Sequence, residues 1–203
     1  MKKVSNNWKK AFPPESVGTE FFEEFAMRAQ NVAAKVFRVK TAAEAQSVIV
    51  EIIKSSEAKK VVATPEAVSP LELPAILKSM NLDLYTEQSD IRTHADTSDI
   101  GIACVEFGIA ETGSVCEDGL AIEQRLITTL PPISIVVMNS ANVVPTIAAA
   151  FETISKVFDR GYISFITGPS RTSDIERVLT IGVHGPSQLV IIAIDEEIRG
   201  GLK

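Results

Sequence analysis

Two near-continuous apolar runs, residues 133–138 and 189–194, constrain this chain most. Six residues is the length of a strand. A run apolar at almost every position, rather than at every second one, suits a strand buried on both faces. Neither run approaches the roughly 20 residues that a membrane span needs, so no span is expected. Shorter apolar stretches at 36–39, 60–63, 82–85, 100–103 and 162–166 read as further strands. Helical patterns lie between them. Thr41-Ala42-Ala43-Glu44 is a capping box, and the helix it opens carries Ala45, Val48, Ile49 and Ile52 on one face. Residues 73–80 give a short helix. Asn139-Ser140 reads as the cap of a long one, with a stripe of Val143, Val144, Ile147, Ala148, Phe151, Ile154 and Phe158 and with Pro145 tolerated in its first turn. Alternation of this kind predicts an α/β fold: a mainly parallel sheet covered by helices on both faces, with right-handed crossovers.

Composition narrows the class. The 203 residues suffice for one sizeable domain. Residues 1–34 read as an N-terminal arm and helix, and residues 35–203 as the main domain. The arm holds four lysines, Trp8, Phe12 and the breaker Pro13-Pro14, followed by Phe21, Phe22, Phe25 and Ala29 at helical spacing. Its aromatics are expected to pack on the domain or on a partner subunit, which leaves a homo-oligomer open. A net charge of −6 argues against a general nucleic-acid binder. Residues 1–6 contain no apolar segment and do not read as a secretory leader. The two cysteines, Cys104 and Cys116, are then expected to be reduced, at least half-buried thiols in a cytoplasmic protein. Two thiolates cannot hold an iron–sulfur cluster alone, and no metal site is expected from them with His94 and His184. His94 lies in a polar stretch and reads as solvated surface.

Three segments carry candidate chemistry. In Ile109-Ala110-Glu111-Thr112-Gly113-Ser114-Val115 a carboxylate, a hydroxyl and a glycine sit together at a bend. Glu111 is a candidate acid/base, with Thr112 and Gly113 as ligand contacts; the alternative is that Glu111 forms a salt bridge or caps a nearby helix. The second segment is Thr167-Gly168-Pro169-Ser170-Arg171-Thr172-Ser173-Asp174-Ile175-Glu176. Ser173 and Glu176 form a capping box, so a helix is expected to begin there. A strand, a small-residue loop and a helix N-terminus together favour anions. Ser170 and Thr172 add hydroxyls, and Arg171 adds a fork for an oxyanion, unless it pairs with Asp174 or Glu111. The third segment, Gly182-Val183-His184-Gly185-Pro186-Ser187, offers His184 as donor or acid/base, or as a turn residue that satisfies a carbonyl. Asp195, at the end of the last strand, either enters the site or caps it.

Ala110-Glu111-Thr112-Gly113, Leu130-Pro131, Gly168-Pro169-Ser170-Arg171-Thr172-x-Asp174-Ile175-Glu176 and Gly182-x-His184-Gly185-Pro186 occur in the order seen in the LUD-domain family, which the chain resembles over about residues 35–200. The resemblance implies a three-layer α/β/α fold similar to CoA transferases, ribose-5-phosphate isomerase and glucosamine-6-phosphate deaminase. It implies a part in oxidising L-lactate to pyruvate within a three-protein system, with iron–sulfur clusters in the partner subunits and no cofactor in this chain. A small anionic metabolite would bind at Thr112, Gly113, Gly168, Pro169, Ser170, Arg171, Thr172, Asp174, Glu176 and Gly185, with Glu111 and His184 as acid/base residues. Glu111-Thr112-Gly113 also resembles the Glu-x-Gly segment of CoA transferases. Two alternatives stay open: a stand-alone enzyme acting on CoA esters, sugar phosphates or hydroxyacids, and a metabolite-sensing module.

Overall fold

The computed structural model describes residues 2–5, 7–13, 15–170, 174–175, 178–179 and 185–197. Its centre is a six-stranded sheet in the order 35–39, 188–194, 133–139, 100–104, 60–63, 83–85, every neighbouring pair parallel. The two apolar runs lie side by side in the middle, and their alternate residues feed opposite faces. Ile135, Val137, Val190, Ile192 and Ile194 pack with Ile49 and Ile53 of helix 42–55 and with Leu73 and Leu77 of helix 73–79. Val136, Met138, Leu189, Ile191 and Ala193 pack with Phe22, Phe25 and Ala29 of helix 22–31. On that same face Val62 and Ala103 meet Ile91 of helix 88–94 and Ile127 of helix 122–129. Burial on both faces explains the near-continuous apolar runs. Each such Val, Leu or Ile contributes roughly 2 kcal/mol relative to exposure. The molecule is therefore a three-layer α/β/α fold with a mainly parallel central sheet.

Local chemistry starts the helices where the polypeptide allows. Thr41 Oγ1 accepts from the Glu44 N–H at 3.2 Å, while the Glu44 carboxylate accepts from the Lys40 N–H at 2.7 Å, one residue before the cap. From strand 60–63 the chain goes outward to the edge strand 83–85 and returns on the other side to 100–104. The connections leaving 60–63 and 100–104 thus diverge, which makes the carboxyl ends of these two strands the switch point of the sheet.

A smaller sheet extends from the carboxyl ends of 100–104 and 133–139. Its order is 163–166, 114–118, 107–109, 143–144, antiparallel except for the last pair. Phe107, Ile109, Cys116 and Val144 pack there with Ala150 and Val157 of helix 147–157 and with Trp8. Trp8 is 1% exposed, with ring centroids 5.9 Å from both Phe107 and Phe158. The arm's tryptophan therefore packs on its own domain. Helix 22–31, grouped above with the N-terminal piece, is likewise part of a core cluster. No helix among the described residues is long and apolar enough to cross a membrane.

Three expectations change, and two helices are added. Val143 and Val144 form a strand, and the helix starts later, where Thr146 Oγ1 accepts from the Ala149 N–H at 3.2 Å. Pro145 separates the two elements instead of opening a helix at Ser140. The helix expected from Ser173 is not found among the described residues of that stretch. Asp174–Ile175 pairs antiparallel with Val178–Leu179, placing the β-branched Ile175 opposite Val178. Helices 88–94 and 122–129 are short and mostly polar, with Ile91 alone apolar in the first and Ile122, Leu126 and Ile127 in the second, too few to show a clear periodicity. Lastly, His94 is half-buried and stacks on Tyr85 at 4.0 Å, so it is not plain solvated surface.

Candidate functional site

The strand 114–118 sends neighbouring side chains to opposite faces, and here that alternation matters. Glu117 faces a cleft of about 550 Å³. One wall of the cleft is Thr128 and Thr129 of helix 122–129. Another is Ser164 to Thr167, and the rim is formed by Gly168, Ser170, Gly185 and Pro186. The two loops of the rim are tied together, because the Ser170 N–H donates to the Pro186 carbonyl at 2.9 Å. The second and third candidate segments therefore converge at Gly168, Ser170 and Gly185.

Glu117 is 1% exposed and stands opposite Ser164 across the antiparallel pair. Among the described residues neither carboxylate oxygen has a partner in hydrogen-bonding geometry. Burial pushes its pKa up. The nearby Thr128 and Ser164 hydroxyls, the Gln124 amide and the Arg125 charge oppose that shift without cancelling it. A buried carboxyl with a raised pKa, facing a cleft lined by hydroxyls, is an arrangement suited to donating or accepting a proton. Sequence reading missed Glu117. The available signal was its period-two relation to Val115, which puts a carboxylate on a buried face.

Glu111 takes a different position. Its Oε2 accepts from the Ile147 N–H at 2.8 Å, capping helix 147–157. Neither it, Thr112 nor Gly113 is among the described residues that line the cleft. The Thr112 hydroxyl is buried without a hydrogen-bond partner. Gly113 has φ +66°, and a Cβ there would fall 2.2 Å from the Ala29 backbone nitrogen. Gly168 has φ +69°, and its Cβ would fall 2.2 Å from the Val32 carbonyl oxygen. Both glycines thus let the chain press against helix 22–31 and the residue that follows it. Ser114 Oγ and Thr167 Oγ1, 2.6 Å apart, join the two segments.

Pro169 is half-buried next to the rim. For Asp174 only the backbone is described, in its strand pair. Arg171, Thr172, Glu176 and His184 lie outside the described residues; in sequence Arg171 follows Ser170 and His184 precedes Gly185. Asp195 accepts from Arg38 Nε at 2.8 Å and from the Ser140 hydroxyl, and these two bonds hold its pKa down. It lines neither this cleft nor the larger one described below.

Cys104 and Cys116 are buried on separate strands and are not joined in a disulfide. Burial, with the charges of Glu106, Asp118 and Glu117, pushes the Cys116 pKa well up, which disfavours the reactive thiolate. Among the described residues, no three His, Cys, Asp or Glu side chains are grouped so as to hold a metal ion.

Comparison with known proteins agrees with the fold and with the family resemblance. A DUF162 family protein from Deinococcus radiodurans, solved by crystallography, superposes with a TM-score of 0.59 at 20% identity. The match covers 86% of this chain and 96% of that one, and it speaks for the fold. Lactate utilization protein C of Geobacillus thermodenitrificans is 35% identical over half of this chain and 45% of its own length. That of Anoxybacillus flavithermus is 30% identical over 67% of this chain and 63% of its own. The uncharacterized protein YkgG of Escherichia coli is 29% identical over 51% and 47%. The chain spans about half the length of most of these curated relatives. The LUD domain model matches residues 22–194, and the chain belongs to the LUD domain family.

Proposed function

We propose that this chain works in lactate utilization, as a subunit beside iron–sulfur partner proteins that oxidise L-lactate to pyruvate. In this reading it binds a small hydroxy- or keto-carboxylate in the cleft at Glu117. The family membership and the names of the relatives support the pathway. One observation carries the site: Gly168, Ser170 and Gly185, from two separate motif segments, meet around a cleft that also holds a buried carboxyl. Arg171 would supply the bidentate grip on the carboxylate, with Ser170 and Thr172 donating hydroxyls. Glu117, whose pKa burial raises, would exchange a proton with the ligand's second oxygen, and His184 would take or return the proton there. Redox chemistry would come from clusters in the partners; the two buried cysteines of this chain are too few to ligate one.

Isothermal titration of the intact chain with pyruvate and L-lactate tests the reading. Saturable binding is expected, at least tenfold weaker in Arg171→Ala, and the isolated chain should show no lactate-dependent dye reduction. Absence of binding to both carboxylates would overturn the ligand class. Equal affinity in Arg171→Ala would remove the role given to that side chain.

A further inference from the structure

The opposite side of the same strand and helix walls a second, larger cleft, of about 860 Å³. It sits at the carboxyl ends of strands 60–63 and 83–85, beside the switch point of the parallel sheet, where open α/β sheets bind ligands. None of the three candidate motif segments contributes to it. Its chemistry differs sharply from that of the first. Glu66, Glu87, Asp118 and Glu123 line it, and no Lys, Arg or His is among the described residues that do. Arg92, from outside the lining, neutralises Glu123 through its Nε at 2.6 Å. Glu66 and Glu87 are exposed at the mouth, and Asp118 is buried.

Independently of the carboxylates, Thr64 points to a ligand. It follows strand 60–63, lines the cleft and is 8% exposed, yet its hydroxyl is buried with no hydrogen-bond partner. The helix 65–68 that follows does not use it as a side-chain cap. A buried hydroxyl left unmatched is destabilising, and a ligand's donor would relieve that. The acidic mouth attracts positive charge and repels the carboxylates and phosphates proposed for anion sites.

We propose that this cleft is a second ligand site, for a small organic cation bearing an ammonium or guanidinium group. The cation's N–H groups donate to the Thr64 hydroxyl and Asp118, and its charge is held by Glu66 and Glu87. The Pro65, Ile91 and Leu120 side chains flank its hydrocarbon part. The site is separate from the Glu117 cleft, so its ligand binds whether or not a carboxylate occupies the other.

Thermal-shift and calorimetric titration of the full chain with putrescine and agmatine test this, with glucose, pyruvate and Mg²⁺ as contrasts. Both amines should raise the melting temperature saturably, and the affinity should fall as salt rises. The double variant Glu66→Gln/Glu87→Gln, at exposed positions, should weaken amine binding at least tenfold while leaving pyruvate binding unchanged. Thr64→Val, nearly isosteric, should weaken it several-fold. The proposal fails if neither amine binds, if glucose or Mg²⁺ binds as well as the amines do, or if the double variant binds them as well as the wild type.

Discussion

The two clefts share a strand and a helix but treat carboxylates in opposite ways. Glu117 and Asp118 are neighbours on strand 114–118, and each faces a different cleft. On the Glu117 side the carboxylate is buried without a well-aligned partner, and burial raises its pKa. On the other side Asp118 Oδ1 accepts from the Leu120 N–H at 3.2 Å, and Glu123 is bound by Arg92. Burial alone would raise the Glu123 pKa, but its own backbone N–H and the Arg92 and Arg125 charges hold it below the ordinary value. Depth of burial and the presence of a partner together set the chemistry. Glu123, matched by Arg92, is held toward its anion, whereas the unmatched Glu117 is poised to exchange a proton.

The largest predicted effect breaks the frame that the Glu117 cleft rests on. Gly168→Ala should destabilise the protein by about 3 kcal/mol, since it adds a disfavoured positive φ to a backbone collision. Gly113→Ala should cost a similar amount, and urea denaturation reads both. Next comes the partnered side. Arg92→Ala leaves Glu123 buried without its cation and should cost about 2 kcal/mol, measured the same way.

Glu117→Gln sharpens the contrast because its sign is reversed. A carboxyl whose folded pKa lies above its unfolded value loses stability as pH rises between the two, and the loss is complete above the folded pKa. Glu117→Gln should therefore melt higher than the wild type at pH 7 to 8, by roughly 3 °C per kcal/mol relieved, with the difference vanishing below about pH 4. A lower melting point at pH 8 would contradict the raised pKa. The smallest effect belongs to Glu111→Gln. It removes a charge from the start of helix 147–157 and should cost no more than about 1 kcal/mol in a denaturation curve.

What the sequence disclosed depended on whether the signal was local. The central strands and the cap at Thr41 follow from residues within one segment, and the parallel sheet follows from their alternation. The stripe through Val143 and Val144 misled because a strand and a helix on either side of Pro145 present one continuous apolar pattern. Gly168, Ser170 and Gly185 were legible as motif residues. Glu117 was not, because its burial is created by helix 122–129 and strand 163–166, both distant in the chain. The larger cleft was equally invisible, since its lining comes from three separated segments, none with a motif.

The most direct test of the Glu117 cleft is a ¹³C NMR titration of the Glu117 side-chain carboxyl, with and without pyruvate. An apparent pKa above that of ordinary glutamates, shifted further up when pyruvate binds, is the predicted result. An ordinary pKa that ignores pyruvate would contradict the account.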